Sequence, residues 1–312
     1  MGMPALATQK KVVKGINSVI NTTVLIMIAA ALAFAGYALW DSKQLYQAAG
    51  KSQYEIYKPR AADEGKSFQE LQALNAEVFA WLSVYGTNID YPVTQGADNM
   101  KYVNTNAEGL YCLSGAIFLD CDASPDFSDF NSIFFGHHMD KRAMFGEIGS
   151  FAEKDMFDTR RYGNLYFDGK DHGIEFFAFV RADAYDNTVF TANVKGEARQ
   201  AYLDNLLSKA VYKRDIGITT QDHIVLLATC SAASTNGRDI LVGRVTDTLY
   251  ENTFTDSETN NAGKLLGTLR WGENSPRWLP ALILSLLLAA LIIVLCVTRK
   301  RRKRSEKRSE SR

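Results

Sequence analysis

Three residues that together could carry out acyl transfer lie at the ends of apolar runs. Cys230 closes the run HIVLLATC, His137 follows SIFF after one glycine, and Arg238 directly precedes DILVGRV. A thiolate can attack a carbonyl, an imidazole can give a proton to a leaving amine, and a guanidinium can stabilise an oxyanion. Each residue type alone is more often structural, since a lone cysteine is usually buried and inert. The set predicts cysteine-based acyl transfer if the fold brings the three side chains together.

The segments around these residues have the pattern of a β domain. From residue 82 the chain consists of short runs rich in Ile, Val, Phe and Tyr, separated by Gly, Asn, Asp and Pro, which predicts strands. These runs are SVYGTNIDYPVTQ, GAIFLD, NSIFFGHHM, GIEFFAFVRADAY, HIVLLATC and DILVGRV. One helix is expected between residues 197 and 213 from the spacing of Ala198, Tyr202 and Leu206. We therefore expect a mostly β fold with peripheral helices.

Residues 41–80 have a helical pattern instead. Two stretches have apolar residues at helical spacing, and Pro59 separates them. The second stretch contains Phe68, Leu71, Leu74, Val78 and Phe79. Two helices are predicted here, before the first strand.

Two long uncharged apolar runs occupy residues 16–40 and 278–297. Each is long enough for a helix to cross a bilayer, which takes roughly 20 residues. Three lysines precede the first run and RKRRKR follows the second, so the positive-inside rule predicts that both termini are cytoplasmic. A cleaved signal peptide is the alternative for the first run, because Ala33-Phe34-Ala35 is a small-x-small site. A buried core helix is the alternative for the second.

These features divide the chain into seven predicted segments. They are a cytoplasmic N-terminus (1–15), a transmembrane helix (16–40), an extracytoplasmic helical segment (41–80), a catalytic domain (81–250), a linker (251–277), a transmembrane helix (278–297) and a basic cytoplasmic tail (298–312). The expected location is therefore the cell membrane, with the catalytic domain outside.

The charge distribution argues against a nucleic-acid partner. The 312 residues include 35 basic and 35 acidic side chains, but the basic excess lies at the two ends and the middle of the chain is acidic. Phosphate recognition requires a basic surface on the folded domain. Zinc is also not expected, because the chain contains no H-x-x-H or C-x-x-C spacing. Asp90, Asp98 and Asn99 could hold a cation, but their types are typical of solvated turns.

Several segments resemble the sortases, and within them class B. LLATC at Cys230 is similar to the family's L-x-T-C motif, FFGHHM at His137 is similar to Y-G-H-x-M, and Arg238 precedes an apolar strand. Three further segments agree: IDYPVTQGADNMKYV (89–103), GAIFLD (115–120) and MFGEIGSF (144–151). The resemblance covers roughly residues 68–247.

The resemblance implies a fold, a reaction and roles for residues. The fold would be a sortase-type eight-stranded β-barrel with peripheral helices, flanked by two transmembrane helices. The enzyme would cleave a C-terminal sorting signal on secreted proteins through a thioester and transfer the acyl group to an amine, such as a wall-precursor peptide or a pilin lysine. Cys230 would be the nucleophile, His137 the general acid and base, Arg238 the stabiliser of the carbonyl and oxyanion, and Thr229 a neighbour of the substrate. No metal or organic cofactor is required.

The chain departs from the class B pattern at several points. Ser231 stands where many members have an acidic residue, Ala228 where serine is common, and Phe135 where the motif has tyrosine. The second apolar run is typical of pilin-polymerising sortases rather than of class B. Chemistry and topology thus point to different tasks, wall attachment or pilus assembly.

Other assignments stay open at this stage. A membrane-tethered cysteine protease would use the same Cys and His with water as the acceptor, and a non-catalytic surface binding protein would need neither. His138 could replace His137, although neighbours on a strand point to opposite faces. Cys112 and Cys121 could form a disulfide outside the membrane only if the segment between them turns back.

Overall fold

The computed structural model describes residues 4–60 and 65–254 of the chain. The predicted second membrane span at 278–297, the linker leading to it from residue 255 onward and the basic tail lie outside the described residues. Among the described residues, contacts divide the chain into two units, one ending at Lys43 and the other beginning at Gln44.

A single long helix, α1 (Pro4–Ala48), contains the first apolar run. Its part from Val12 to Ala48 is long and apolar enough to cross a membrane, and its side chains are not buried by other parts of the protein. Length and composition together satisfy the requirement for a bilayer-spanning helix. This agrees with the predicted first span.

The predicted helical segment at 41–80 is only partly helical. After α1 the chain forms two 3-10 turns, Lys51–Gln53 and Glu55–Tyr57, and then the helix α2 (Lys66–Leu74). The expectation that the second helix reaches Phe79 is wrong, because Val78 and Phe79 belong to the first strand. Val78 pairs there with Thr94, a partner that helical spacing along the chain cannot reveal.

Nine strands follow among the described residues. They are β1 (Val78–Val84), β2 (Asp90–Thr94), β3 (Ile117–Leu119), β4 (Asn131–Phe135), β5 (Tyr162–Phe167), β6 (Lys170–Asp183), β7 (Ala210–Lys213), β8 (His223–Cys230) and β9 (Gly237–Thr246). Two more helices, α3 (Lys154–Thr159) and α4 (Ala198–Ser208), complete the set, and α4 confirms the helix predicted between residues 197 and 213.

Eight of these strands close into a barrel. The order is β5-β1-β2-β3-β4-β8-β9-β6, and β6 also pairs with β5, which joins the two ends of the sheet. Closure depends on the 14-residue length of β6, since its first half pairs with β5 and its second half with β7. The eight-stranded barrel expected from the sequence is therefore present, and β7 is an additional strand on the edge of β6.

The strand β8 lies between two apolar clusters, which explains its continuous apolar sequence. Val225 and Leu227 belong to the larger cluster with other barrel strands, whereas Ile224, Leu226 and Ala228 pack in a second cluster with α4. The burial of β8 ends at Cys230, which is exposed. A strand that is buried from Ile224 to Thr229 thus delivers its last side chain to the surface.

Candidate active site

Cys230 and Arg238 form a cross-strand pair. They are directly opposite each other in the antiparallel β8–β9 ladder, so their side chains leave the same face of the sheet. The Arg238 guanidinium is half-buried, and its Nη1 donates a hydrogen bond of 3.0 Å to the carbonyl of Gly237. The thiol and the cation expected at one sheet edge are therefore neighbours.

His137 is held at the level of Cys230 by the strand on the other side. The parallel pairing of β4 with β8 continues past the end of β4, where the Gly136 amide donates to the carbonyl of Ala228 at 3.3 Å. The Thr229 hydroxyl then donates to the Gly136 carbonyl at 2.8 Å. Three adjacent strands, β4, β8 and β9, thus bring an imidazole, a thiol and a guanidinium to one edge of the barrel.

The imidazole of His137 is oriented by a main-chain oxygen. Its Nε2 lies 2.8 Å from the carbonyl oxygen of Val103, at the end of the 3-10 turn Lys101–Val103. A carbonyl can only accept, so Nε2 carries the hydrogen and the neutral ring keeps its lone pair on Nδ1. That nitrogen is then the one free to exchange a proton with a thiol or a leaving amine.

The loop after His137 returns to it. The Phe145 amide donates to the His137 carbonyl at 3.1 Å, and the buried Phe145 ring lies against Gly136. A Cβ on Gly136 would be 2.7 Å from this ring, so glycine is required directly before the histidine. His138, the alternative imidazole, forms an isolated bridge with Met144, and its buried Nδ1 has no hydrogen-bond partner among the described residues.

Thr229 lies on the opposite face of β8 from Cys230. It is buried, and its hydroxyl donates its hydrogen bond to the Gly136 carbonyl within the protein. A substrate contact at Thr229 stays a prediction from the sequence. The observed contact instead connects this side chain to the backbone that precedes His137.

The chain is similar to curated and solved sortases. No protein-family model matches it. It is 47% identical to sortase B from the type II pilus of Streptococcus pneumoniae, covering 58% of this chain and 99% of that one with a TM-score of 0.51. It is 36% identical to a class B sortase of Streptococcus pyogenes involved in pilus biogenesis, over 58% of this chain and 99% of that one, with a TM-score of 0.54. Sortase B of Staphylococcus aureus is 27% identical over 57% of this chain and 74% of its own length.

The chain belongs to the class B sortases. It is accordingly a cysteine transpeptidase, and the resemblance found in its motifs is confirmed. Membership in this family removes the non-catalytic binding protein as an alternative.

The positions where this sortase departs from the class B motifs have ordinary structural partners. Phe135 packs against Phe190 of the β6–β7 connection, with ring centroids 6.4 Å apart. The Ser231 amide donates to the Gly237 carbonyl at 2.8 Å and so closes the loop between β8 and β9. Ala228 is buried beneath α4 with the second apolar cluster.

The remaining candidate residues of this sortase are engaged elsewhere. Cys112 and Cys121 are both free thiols. The two acids considered as cation ligands have separate partners: Asp90 accepts from Trp81 and Ser83, while Asp98 accepts from backbone amides in its own turn. Asp120, Cys121 and Asp122 have ligand atoms within 4.8 Å of one another. Both oxygens of Asp120 already accept hydrogen bonds, from the Asn99 side chain and the Asp122 amide.

Sequence reasoning missed the main-chain carbonyl that orients His137. The Val103 carbonyl carries no side-chain signature, so only the folded chain reveals it. Gly115 gives an indirect signal: its φ is +59°, and a Cβ there would be 2.4 Å from the Tyr102 oxygen and 2.6 Å from the Val103 oxygen. A glycine that precedes a strand run, as in GAIFLD, can mark such a close backbone approach.

Proposed function

We propose that this chain is a membrane-anchored sortase that cleaves a sorting signal on secreted proteins and transfers the acyl group to an amine. His137 takes the proton of the Cys230 thiol, and the resulting thiolate attacks the peptide carbonyl. His137 then gives this proton to the departing amine as the peptide C–N bond breaks, which leaves a thioester on Cys230. Arg238 stabilises the oxyanion of each tetrahedral intermediate. The incoming amine loses a proton to His137 as it displaces the thiol, which restores the enzyme.

The observation that carries this proposal is the convergence of three adjacent strands. Cys230 lies opposite Arg238, and the backbone of Gly136, directly before His137, is hydrogen-bonded to β8 beside them. Because Nε2 donates its hydrogen to the Val103 carbonyl, Nδ1 is proposed to carry the proton in the reaction. Thr229 is proposed to serve the site through Gly136, on which its hydroxyl acts.

Pilus assembly is the favoured task. Two of the similar solved structures are of pilus enzymes, at 47% and 36% identity, whereas curated Sortase B relatives are 27% and 28% identical. A lysine side chain on a pilin subunit is then the proposed acceptor. The apolar α1 and the second apolar run at 278–297 would anchor the enzyme beside subunits that are still attached to the membrane.

Intact-mass analysis of the full chain in detergent tests the chemistry. The protein is incubated with a panel of sorting-signal peptides, and then with triglycine, a lysine-containing pilin peptide or water alone. We expect a peptide-sized adduct that the lysine peptide discharges faster than triglycine, with an amide product. The adduct should be absent in Cys230→Ala and retained in Cys112→Ala, the matched control for loss of a thiol.

The outcomes separate the alternatives. Discharge by water at the same rate with and without amines would indicate the protease instead of the transferase. Preference for triglycine over the lysine peptide would favour wall attachment. An adduct that persists in Cys230→Ala would contradict the assignment of the nucleophile.

A further inference from the structure

The loop that follows His137 has an unusual backbone. Three of its non-glycine residues adopt a left-handed conformation: Lys141 (φ 57°), Arg142 (φ 63°) and Met144 (φ 51°). Each such residue has a strained backbone and persists only where its surroundings hold it. The loop is also closed on itself, because the Phe145 amide donates to the His137 carbonyl.

One buried hydroxyl holds this loop from outside. Tyr91, on β2, is 1% exposed, and its hydroxyl accepts a hydrogen bond of 3.1 Å from the Met144 amide. The same hydroxyl donates to the carbonyl of Ala49 at 3.0 Å, directly after the end of α1. Tyr91 therefore connects three separate parts of the chain: the segment after α1, the barrel, and the loop after His137.

The bond arrangement requires a hydroxyl that stays protonated. Burial raises the pKa of Tyr91 to about 12, so the group remains a donor to Ala49 at physiological pH. The ring is fixed by its edge contact with Tyr54, whose centroid is 6.4 Å away. The protonated hydroxyl can therefore donate to Ala49 and accept from Met144 at the same time.

We propose that Tyr91 is a positioning residue of this sortase, which keeps His137 in its reactive orientation by holding the Met144 amide. Without the hydroxyl, the buried Met144 amide loses its acceptor, and a left-handed residue can relax. The adjacent Phe145 amide then no longer holds the His137 carbonyl in place. A small displacement of a catalytic group is sufficient to lower the rate strongly. This inference rests on the proposed role of His137.

Tyr91→Phe in the full chain tests the proposal, because it removes only the hydroxyl. We expect kcat for thioester formation with a sorting-signal peptide to fall about tenfold while KM is unchanged. Rates are normalised to folded protein by near-ultraviolet circular dichroism, so that a partly unfolded preparation does not imitate the effect. Hydrogen exchange should increase at residues 138–145.

Tyr202→Phe is the matched control. Tyr202 is also buried, and its hydroxyl donates to the Val189 carbonyl beneath α4, away from this loop. The Tyr202→Phe variant should lose about as much stability as Tyr91→Phe, but it should keep the wild-type kcat and the exchange protection of residues 138–145. An equal loss of kcat in both variants, or an unchanged kcat in Tyr91→Phe, would overturn the positioning role.

The two proposals fail in different ways. If the wild-type chain forms no thioester with any peptide, the proposed function is at fault and the Tyr91 variant is uninformative on catalysis; hydrogen exchange then decides whether Tyr91 holds the loop at all. If the wild type reacts and Tyr91→Phe reacts equally fast, the proposed function stands and the positioning role is wrong.

Discussion

At the scale of single residues, hydrogen bonds to main-chain oxygens orient the site. The Val103 carbonyl fixes the hydrogen of the His137 ring on Nε2, and the Thr229 hydroxyl fixes the Gly136 carbonyl. A neutral oriented imidazole can accept a proton from a thiol, which is what a nucleophilic cysteine requires. Side-chain identity at positions such as Val103 is therefore a poor guide to their function.

The guanidinium of Arg238 should not be replaceable by an ammonium. A lysine keeps the charge but presents a point donor on a flexible stem in place of a planar group. We expect Arg238→Lys to lower kcat for thioester formation about 100-fold, the size found when one oxyanion donor is removed. Arg60→Lys, at an exposed arginine that pairs with Glu55, is the control and should keep full activity. Equal rates in the two variants would remove Arg238 from the mechanism.

Variants of Thr229 distinguish two roles for its side chain, a contact with the Gly136 carbonyl and a contact with the substrate. If its hydroxyl acts through the Gly136 carbonyl, Thr229→Val lowers stability by about 1 kcal/mol and lowers kcat, while KM stays unchanged. Thr229→Ser keeps the hydroxyl and should recover most of the rate. If Thr229 contacts the substrate instead, KM rises with little change in kcat. Steady-state kinetics with one sorting-signal peptide distinguish these results.

At the scale of elements, the site depends on loops that barrel strands bring together. The 3-10 turn that supplies Val103 packs against Gly115, just before β3, and the loop after His137 packs against β2. Neither loop is next to Cys230 in the chain. Their positions follow from the pairing of β2 with β3, of β3 with β4, and of β4 with β8.

Gly115→Ala should damage both stability and catalysis. The new Cβ would meet the Tyr102 and Val103 oxygens at less than 3 Å, in a backbone with φ of +59°. We expect a loss of roughly 2–4 kcal/mol and a lower kcat, because the Val103 carbonyl has to move. Gly169→Ala has a similar φ of +73° but open space around it, so it should cost only about 1 kcal/mol and no activity. The midpoint of thermal unfolding measures both, and equal shifts would show that the clash is unimportant.

At the scale of the whole molecule, the barrel is a closed structure, and the location of the chain at a membrane is a prediction from its apolar ends. Closure by β5 and β6 leaves no open edge between them, and Glu175 on β6 adds ion pairs to Arg161 and Arg244. The predicted membrane location rests on α1 and on the apolar run at 278–297.

The two-span topology predicts a specific protease-protection pattern. In sealed right-side-out vesicles, added protease should digest the barrel while tags at both termini remain protected. The physical reason is the basic excess at both ends, which the positive-inside rule keeps in the cytoplasm. A C-terminal tag that is digested without detergent would show that only the first run spans the membrane. Detergent added before the protease is the control, and it should expose both tags.

The sequence alone predicted the class of fold, the first long apolar helix and the residues proposed for catalysis. These features depend on local patterns: apolar runs of strand length, an uncharged run of about 25 residues, and short motifs around Cys230 and His137. The helix α4 was also predicted, because its apolar residues repeat within one element. Such patterns are visible in one segment at a time.

The tertiary structure decided which strands pair and which distant residues are in contact. The helix predicted through Phe79 ends at Leu74, because pairing with β2 and β5 holds the residues from Val78 onward in a strand. Strand β5 also depends on its pairing with β1, and β7 on its pairing with β6, and these partners are distant in the chain. For the same reason the sequence did not indicate the Val103 carbonyl or the Tyr91 hydroxyl. The contact of Val103 with His137 joins residues 34 positions apart, and that of Tyr91 with Met144 joins residues 53 positions apart. Local propensity carries no information about such long-range partners, whereas the closed barrel specifies them.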